Sequence, residues 1–160
     1  MDRSDYNNSV KLYSSRLHQF IKKLTGDEEQ TKDFVQDCYM KLWINNKQVE
    51  TDKVRAWLFQ TAYREVLMDR RKQSYHNTYI ETLKEETTDN TYNGAREALN
   101  TMIESLPASY KAVLLLKDEE GYSYEEIAQQ TQMTIEQVKI TLYRARVKMK
   151  QMIGKKENII

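Results

Sequence analysis

The sequence predicts an all-α fold made of two small helical lobes joined by a polar linker. Three observations carry that expectation. Apolar residues recur at helical spacings of three and four along most of the 160 residues. Only four glycines and one proline are present, too few for an all-β fold with many tight turns or for a glycine-rich phosphate loop. Periodicity fails in one stretch, SYHNTYIETLKEETTDNTYNG (74–94), whose polar composition is that of a linker. The chain therefore divides into a first lobe over 1–74, a linker over 75–97 and a second lobe over 98–160.

The elements follow in order. Leu12, Leu17, Phe20, Ile21 and Leu24 mark a first helix, ended by Gly26. Asp27, with Gln30 three residues on, can cap a second. In DFVQDCYMKLW (33–43), Phe34, Val35, Cys38, Tyr39, Leu42 and Trp43 form one broad apolar face. VRAWLFQTAYREVLMDRRK (54–72) has no breaker and reads as a long helix. It is apolar on more than one stripe, so it is either central or lends part of its aromatic surface to a ligand. Helical periodicity returns at Ala98 and runs to about Ile153. Within it, Ser123 to Glu126 and Thr134 to Gln137 are two capping boxes, separated by a short turn around Gln132 and Met133. That spacing is a helix-turn-helix, with Ile127 and Ala128 facing inward against Val138 and Leu142.

Composition narrows the function. Charged residues make up 31% and apolar residues 39%, which suits a surface-rich soluble protein. The longest apolar run, Ala112 to Leu116, is far short of the ~20 residues of a membrane helix. The polar start, MDRSDYNNSV, lacks the apolar core of a secretory signal, so a cytoplasmic protein is expected. One cysteine, Cys38, with His18 and His76, offers neither a disulfide framework nor a structural zinc set. No metal or cofactor is expected. No metalloprotease, deaminase, P-loop or Ser/His/Asp motif stands in a plausible context, so no enzyme is expected either.

The net charge of +1 hides a local excess. Residues 137–156 hold seven Lys and Arg side chains and no acid, whereas 75–97 carry two basic and five acidic residues. On the second helix of the helix-turn-helix, Lys139, Tyr143, Arg144 and Arg146 are offered outward. A capped helix of this kind fits a DNA major groove. A solvated basic face is the plainer alternative, since cations also suit helix C-termini. Two capping boxes at this interval, a small Ala128 and an acid-free helix together favour DNA.

These residues resemble a known family. LPASYKAVLLLKDEEGYSYEEIAQQT and VKITLYRAR, within 106–146, are similar to region 4 of bacterial RNA polymerase sigma factors of the extracytoplasmic-function group. The matches are Leu106-Pro107, Tyr110-Lys111, Glu120-Gly121, Ser123-Tyr124, Glu126-Ile127-Ala128, Val138-Lys139 and Arg144-Ala145-Arg146. The resemblance implies that Lys139, Ile140, Thr141, Tyr143, Arg144 and, more weakly, Arg146 meet the promoter −35 element. The family usually has glycine where Gln132 stands, so this turn needs a left-handed residue or a different shape.

The first lobe resembles region 2. The string 33–43 is similar to the helix that docks on the clamp helices of the polymerase β′ subunit, which implies contacts by Asp33, Gln36, Asp37 and Trp43. AWLFQTAYREVLMDRRK (56–72) is similar to the helix that captures the melted −10 strand, which implies Phe59, Tyr63, Arg64 and Arg71. Rings would stack on unpaired bases and cations would meet the strand. Trp57 reads better as core; for Phe59 and Tyr63, core and stacking surface are equally open. The loop INNKQVETDK (44–53) corresponds to one that pockets a flipped base. The resemblance spans roughly 8–73 and 98–153. It implies a promoter-specificity subunit whose partners are promoter DNA and core RNA polymerase, including its β flap, and it brings with it membrane-bound anti-sigma factors as a class of regulator. The acidic 75–97 segment reads as a tether or as a mimic of nucleic acid. An ordinary helix-turn-helix regulator would need a sensory first lobe, for which 1–74 lacks the composition. A protein-binding adaptor would not need the basic helix.

Overall fold

A computed structural model describes residues 1–77 and 94–157; the core of the expected linker, 78–93, lies outside the described residues. Seven α-helices are present among them: α1 (Arg3–Thr25), α2 (Glu28–Ile44), α3 (Val54–Asn77), α4 (Gly94–Glu104), α5 (Ala108–Leu114), α6 (Tyr124–Thr131) and α7 (Ile135–Glu157). A 3₁₀ turn, Thr51–Lys53, leads into α3, and a π-turn, Leu115–Glu119, extends α5.

Helix ends fall where the local chemistry puts them. Asp2 and Asp5 form a capping box at the start of α1, and Gly26 closes it in the left-handed conformation at φ 70°. Asp27 Oδ1 accepts from the backbone N–H of Glu29 at 2.8 Å and of Gln30 at 3.2 Å, so it caps α2 alone, without the Gln30 side chain. Both boxes of the helix-turn-helix close as the sequence predicts: Ser123 with Glu126 at 3.1 Å each way, and Thr134 with Gln137 at 2.9 and 3.1 Å. Between them Gln132 is left-handed, φ 60° and ψ 32°, its N–H donating to the Ala128 carbonyl. The turn therefore keeps the usual shape without the usual glycine. Gln132 is exposed, and Gln132→Gly is expected to stabilise the protein by up to ~1 kcal/mol in thermal or urea unfolding.

The first lobe packs α1, α2 and α3 around Leu17, Phe20, Ile21, Leu24, Cys38, Leu42, Leu58, Phe59, Ala62 and Val66, all at most 2% exposed. Each fully buried large side chain contributes about 1.5–3 kcal/mol. Cys38 sits within this core, and burial pushes its thiol up to about 12, with smaller effects from Asp37 and Lys41. Almost no thiolate forms at neutral pH, so alkylating reagents are expected to leave the folded protein unmodified at pH 8 and to react after unfolding, as read by mass spectrometry. The second lobe is built on Ala112, Val113, Leu114, Leu115, Leu116, Ile127, Val138, Leu142 and Ala145. The two lobes touch: α1 and α3 meet α5, and α3 also packs on α6.

Candidate nucleic-acid interface

In the second lobe, α6 and α7 form the helix-turn-helix. Ile127, Val138, Leu142 and Ala145 are at most 2% exposed and fix the pair. That burial turns the opposite side of α7 outward: Tyr143 is 70% exposed and Ile140 49%, with Arg144 exposed beside them. Lys139 and Arg144 are five residues apart, or about 140° round the helix. They bracket the Ile140–Tyr143 face from opposite flanks. Lys139 leans over the Tyr124 ring at 5.5 Å, while Arg144 shares a recess of about 270 Å³ with Tyr110, Tyr143, Val147 and Lys148.

Two further residues change the expected set. Arg146 Nη2 donates to Asp118 Oδ1 at 2.8 Å, which draws it off the outer face toward the cleft between the lobes. Both partners are about half exposed, so the pair is worth at most ~1 kcal/mol and a phosphate could displace it. Lys117 was not anticipated. Its Nζ lies 4.5 Å from the centroid of Tyr124, at the start of α6, on the same ring that Lys139 approaches. The sequence offers little signal for it, because it precedes the first residue of α7, Ile135, by 18 positions.

In the first lobe the structure overturns the expected stacking pair. Phe59 is 0% and Tyr63 6% exposed. Helix α3 is central, flanked by α1, α2, α5 and α6, so both rings are core. Phe59 packs edge-on against Phe20 of α1 at 5.1 Å and against Tyr122 of the second lobe at 6.0 Å. Trp57, expected in the core, is half-buried instead. It lines a pocket of about 320 Å³ with Asn45, Gln48, Val49, Glu50 and Lys53, the loop expected to hold a base. The open face of α3 runs through Trp57, Gln60, Thr61, Arg64 and Met68, at helical spacings of three and four. With its amide oxygen turned toward Arg64, Gln60 accepts from Nη2 at 2.7 Å, and the Thr61 hydroxyl donates to the Trp57 carbonyl at 2.8 Å. Of the expected −10 residues, Arg64 is exposed, and the side chain of Arg71 lies outside the described residues.

On α2, Asp33, Gln36 and Asp37 are exposed and Trp43 is 45% exposed, its ring edge-on to Tyr6 at 5.1 Å. Met40, 59% exposed, stands at i+7, i+4 and i+3 from Asp33, Gln36 and Asp37, and Ile44, 72% exposed, at i+7 from Asp37, so both continue the same face. The surface thus grades from acidic to apolar along one helix. Met40 and Ile44 were legible as apolar residues that miss the buried stripe through Cys38 and Leu42.

A helix-turn-helix on one lobe, with an aromatic and cationic helix face beside a small polar pocket on the other, is the architecture of a DNA-binding protein. The profile of sigma-70 region 2 matches residues 10–75, and that of sigma-70 region 4 matches residues 96–149. The chain belongs to the sigma-70 factors, in their extracytoplasmic-function group. Curated relatives include the ECF RNA polymerase sigma factor SigM of Bacillus subtilis, 24% identical, with 92% of this chain and 94% of that protein aligned. The RNA polymerase sigma factor YlaC of the same organism is 26% identical over 96% of this chain and 94% of its own. Among solved structures, the sigma factor RpoE of Bartonella quintana, crystallised with the anti-sigma factor NepR, superposes with a TM-score of 0.78 at 22% identity, covering 94% of this chain and 97% of that one. CnrH, in complex with the cytosolic domain of CnrY, gives 0.70 at 19% identity, covering 96% and 90%. No helix among the described residues is long and apolar enough to cross a membrane.

Proposed function

We propose that this sigma factor reads promoters with the surfaces described above and supplies no catalytic chemistry of its own, acting in the cytoplasm on core RNA polymerase. The observation that carries this reading is the outward face of α7, an exposed Ile140, Tyr143 and Arg144 strip on a helix whose other side is locked into a doubly capped helix-turn-helix. In the major groove that strip meets −35 base edges. Thr141 flanks it, while Lys139, Lys117 and, after leaving Asp118, Arg146 meet phosphates.

On the first lobe, Trp57, Gln60, Thr61 and Arg64, rather than Phe59 and Tyr63, receive the −10 strand, and the 45–53 loop with Trp57 holds an unstacked base. Arg71 serves as a backbone contact further along α3. The α2 face docks on the β′ clamp helices: Asp33, Gln36 and Asp37 meet cations, and Met40, Trp43 and Ile44 form the apolar centre. The β flap contacts the second lobe. An anti-sigma factor is the natural regulator, as RpoE and CnrH were each solved with a partner of that kind or its cytosolic domain.

Run-off transcription from genomic promoters tests the reading. Core enzyme plus this chain should start at discrete sites that core alone ignores; identical transcripts with and without the chain would overturn it. For the polymerase face, Asp33→Ala with Asp37→Ala, and separately Met40→Asp, should each weaken core association about tenfold or more. Their thermal midpoints should stay close to wild type, since exposed positions usually shift stability by under ~0.5 kcal/mol. Unchanged core affinity in both folded variants would remove α2 from the interface.

A further inference from the structure

The methionines of this chain are unevenly placed. Of the seven, Met40 is 59% exposed and Met68 58%, whereas Met102 and Met149 are buried at 8% and 9%. Met1, Met133 and Met152 are half-buried and pack on the core, and the Met152 sulfur accepts from the Ser105 hydroxyl at 3.3 Å. The two exposed thioethers both stand on binding faces: Met40 on the apolar end of the α2 face, Met68 on the open face of α3. Helix geometry explains the exposure of Met40. The buried stripe of α2 runs through Cys38, Tyr39 and Leu42. Met40 is two residues from both Cys38 and Leu42, or about 200° round the helix, so it points away from the core. Trp43 and Ile44, one turn on, complete an exposed apolar patch around it. A thioether is soft and polarisable, and an exposed one is readily oxidised. The one thiol, Cys38, is 0% exposed and held protonated by burial, so it does not intercept an oxidant at the surface.

We propose that Met40 is an oxidation site: hypochlorous acid converts its thioether to the sulfoxide in the free protein, which disconnects this factor from core polymerase until the sulfoxide is reduced. The inference rests on the α2 docking assignment above. The net step turns sulfide and hypochlorous acid into sulfoxide, chloride and a proton. One S–O bond forms and the O–Cl bond breaks; sulfur loses two electrons, chlorine gains them, and the proton passes to water. The product sets a polar, hydrogen-bond-accepting oxygen in the centre of the Met40, Trp43 and Ile44 patch. Docking strips water from that oxygen inside an apolar contact, which opposes binding. The fold is spared, because a side chain more than half exposed keeps the new oxygen in water while the protein is free. Docking also covers Met40. Assembled polymerase therefore keeps the reduced form, and oxidation removes only the unassembled pool.

The test treats the full chain with a limited dose of hypochlorite, maps each methionine by peptide mass spectrometry and measures core-polymerase affinity. Met40 and Met68 should each gain one oxygen at doses that leave Met102 and Met149 unmodified, with helical circular dichroism unchanged. Core affinity should fall about tenfold or more. Methionine sulfoxide reductases for both epimers, with a thiol reductant, should restore it, whereas oxidation of Trp43 would not be reversed in this way. Each variant is compared with its own untreated form: Met68→Leu should lose as much affinity as wild type, and Met40→Leu should keep what it started with. An equal loss in Met40→Leu, or an oxidised Met40 that binds core as tightly as before, would overturn the proposal. So would loss of helicity, or oxidation of the buried methionines, at the dose that modifies Met40. Treatment of preassembled polymerase separates the two readings, since Met40 should stay reduced there while Met68 is oxidised. Met40 as reactive as Met68 in that complex, or an untreated chain that fails to bind core, would instead overturn the docking assignment.

Discussion

Replacing Phe59 with alanine is expected to destabilise the protein by about 3–5 kcal/mol, the cost of emptying a large aromatic site in a packed core. Phe59 is fully buried and packs against both Phe20 and Tyr122, so neither lobe can collapse into the space without disturbing the other. Phe59→Leu keeps most of the volume and should cost under ~1.5 kcal/mol. Leucine cannot stack as a ring does, so the pair separates packing from base capture. Denaturant unfolding should show the large and small losses, and −10 opening by the Leu variant, followed by permanganate reactivity of unpaired thymines, should match wild type. A stable Phe59→Ala variant, or a folded Phe59→Leu variant that cannot open DNA, would return the ring to the nucleic-acid surface. Trp57→Ala should do the reverse, sparing most of the stability and impairing opening, since a base–aromatic stack is worth ~1–3 kcal/mol.

The reversal of Trp57 and Phe59 shows where the sequence stops being informative. Helix positions and both capping boxes of the helix-turn-helix depend on interactions within a few residues and were legible from spacing, whereas spacing leaves the turn at Gln132 open between a left-handed residue and a different shape, and the structure has the first. Apolar stripes also sorted the core of α1, α2 and the helix-turn-helix, because each has one buried side. Helix α3 has several. Its neighbours come from both lobes, so Phe59, Tyr63 and Val66 are covered by chain segments distant in sequence, and no periodicity along α3 reveals which stripe is left open. The open stripe emerges only once α2, α6 and the 45–53 loop are placed. The same limit hid the pairing of Arg55 with Glu120, 65 residues apart, and the meeting of Lys117 with Lys139, 22 residues on, over the one ring of Tyr124. It also hid the Arg146–Asp118 pair, which draws an expected DNA contact to one side.

On α7 the outward face makes a sharper expectation possible. Arg144→Ala should cost ~1–3 kcal/mol at a −35 duplex and relax preference at one or two base pairs, because an arginine that reaches a base edge discriminates between bases. Lys148→Ala, further round the helix, should weaken matched and scrambled duplexes alike and lower the salt slope by about one unit. Lys117→Ala should behave like Lys148→Ala, since its ammonium sits on Tyr124 at the edge of the motif and not on the outward strip. Arg146→Ala should show a smaller loss, partly offset by ending its competition with Asp118. Binding of the full chain to both duplexes at two salt concentrations separates these cases: specificity appears as a change in their ratio, and anchoring as a change in slope. If Arg144→Ala lowered both affinities equally and left the ratio intact, α7 would be an electrostatic anchor alone. Promoter choice would then fall to the Trp57 pocket and the open face of α3.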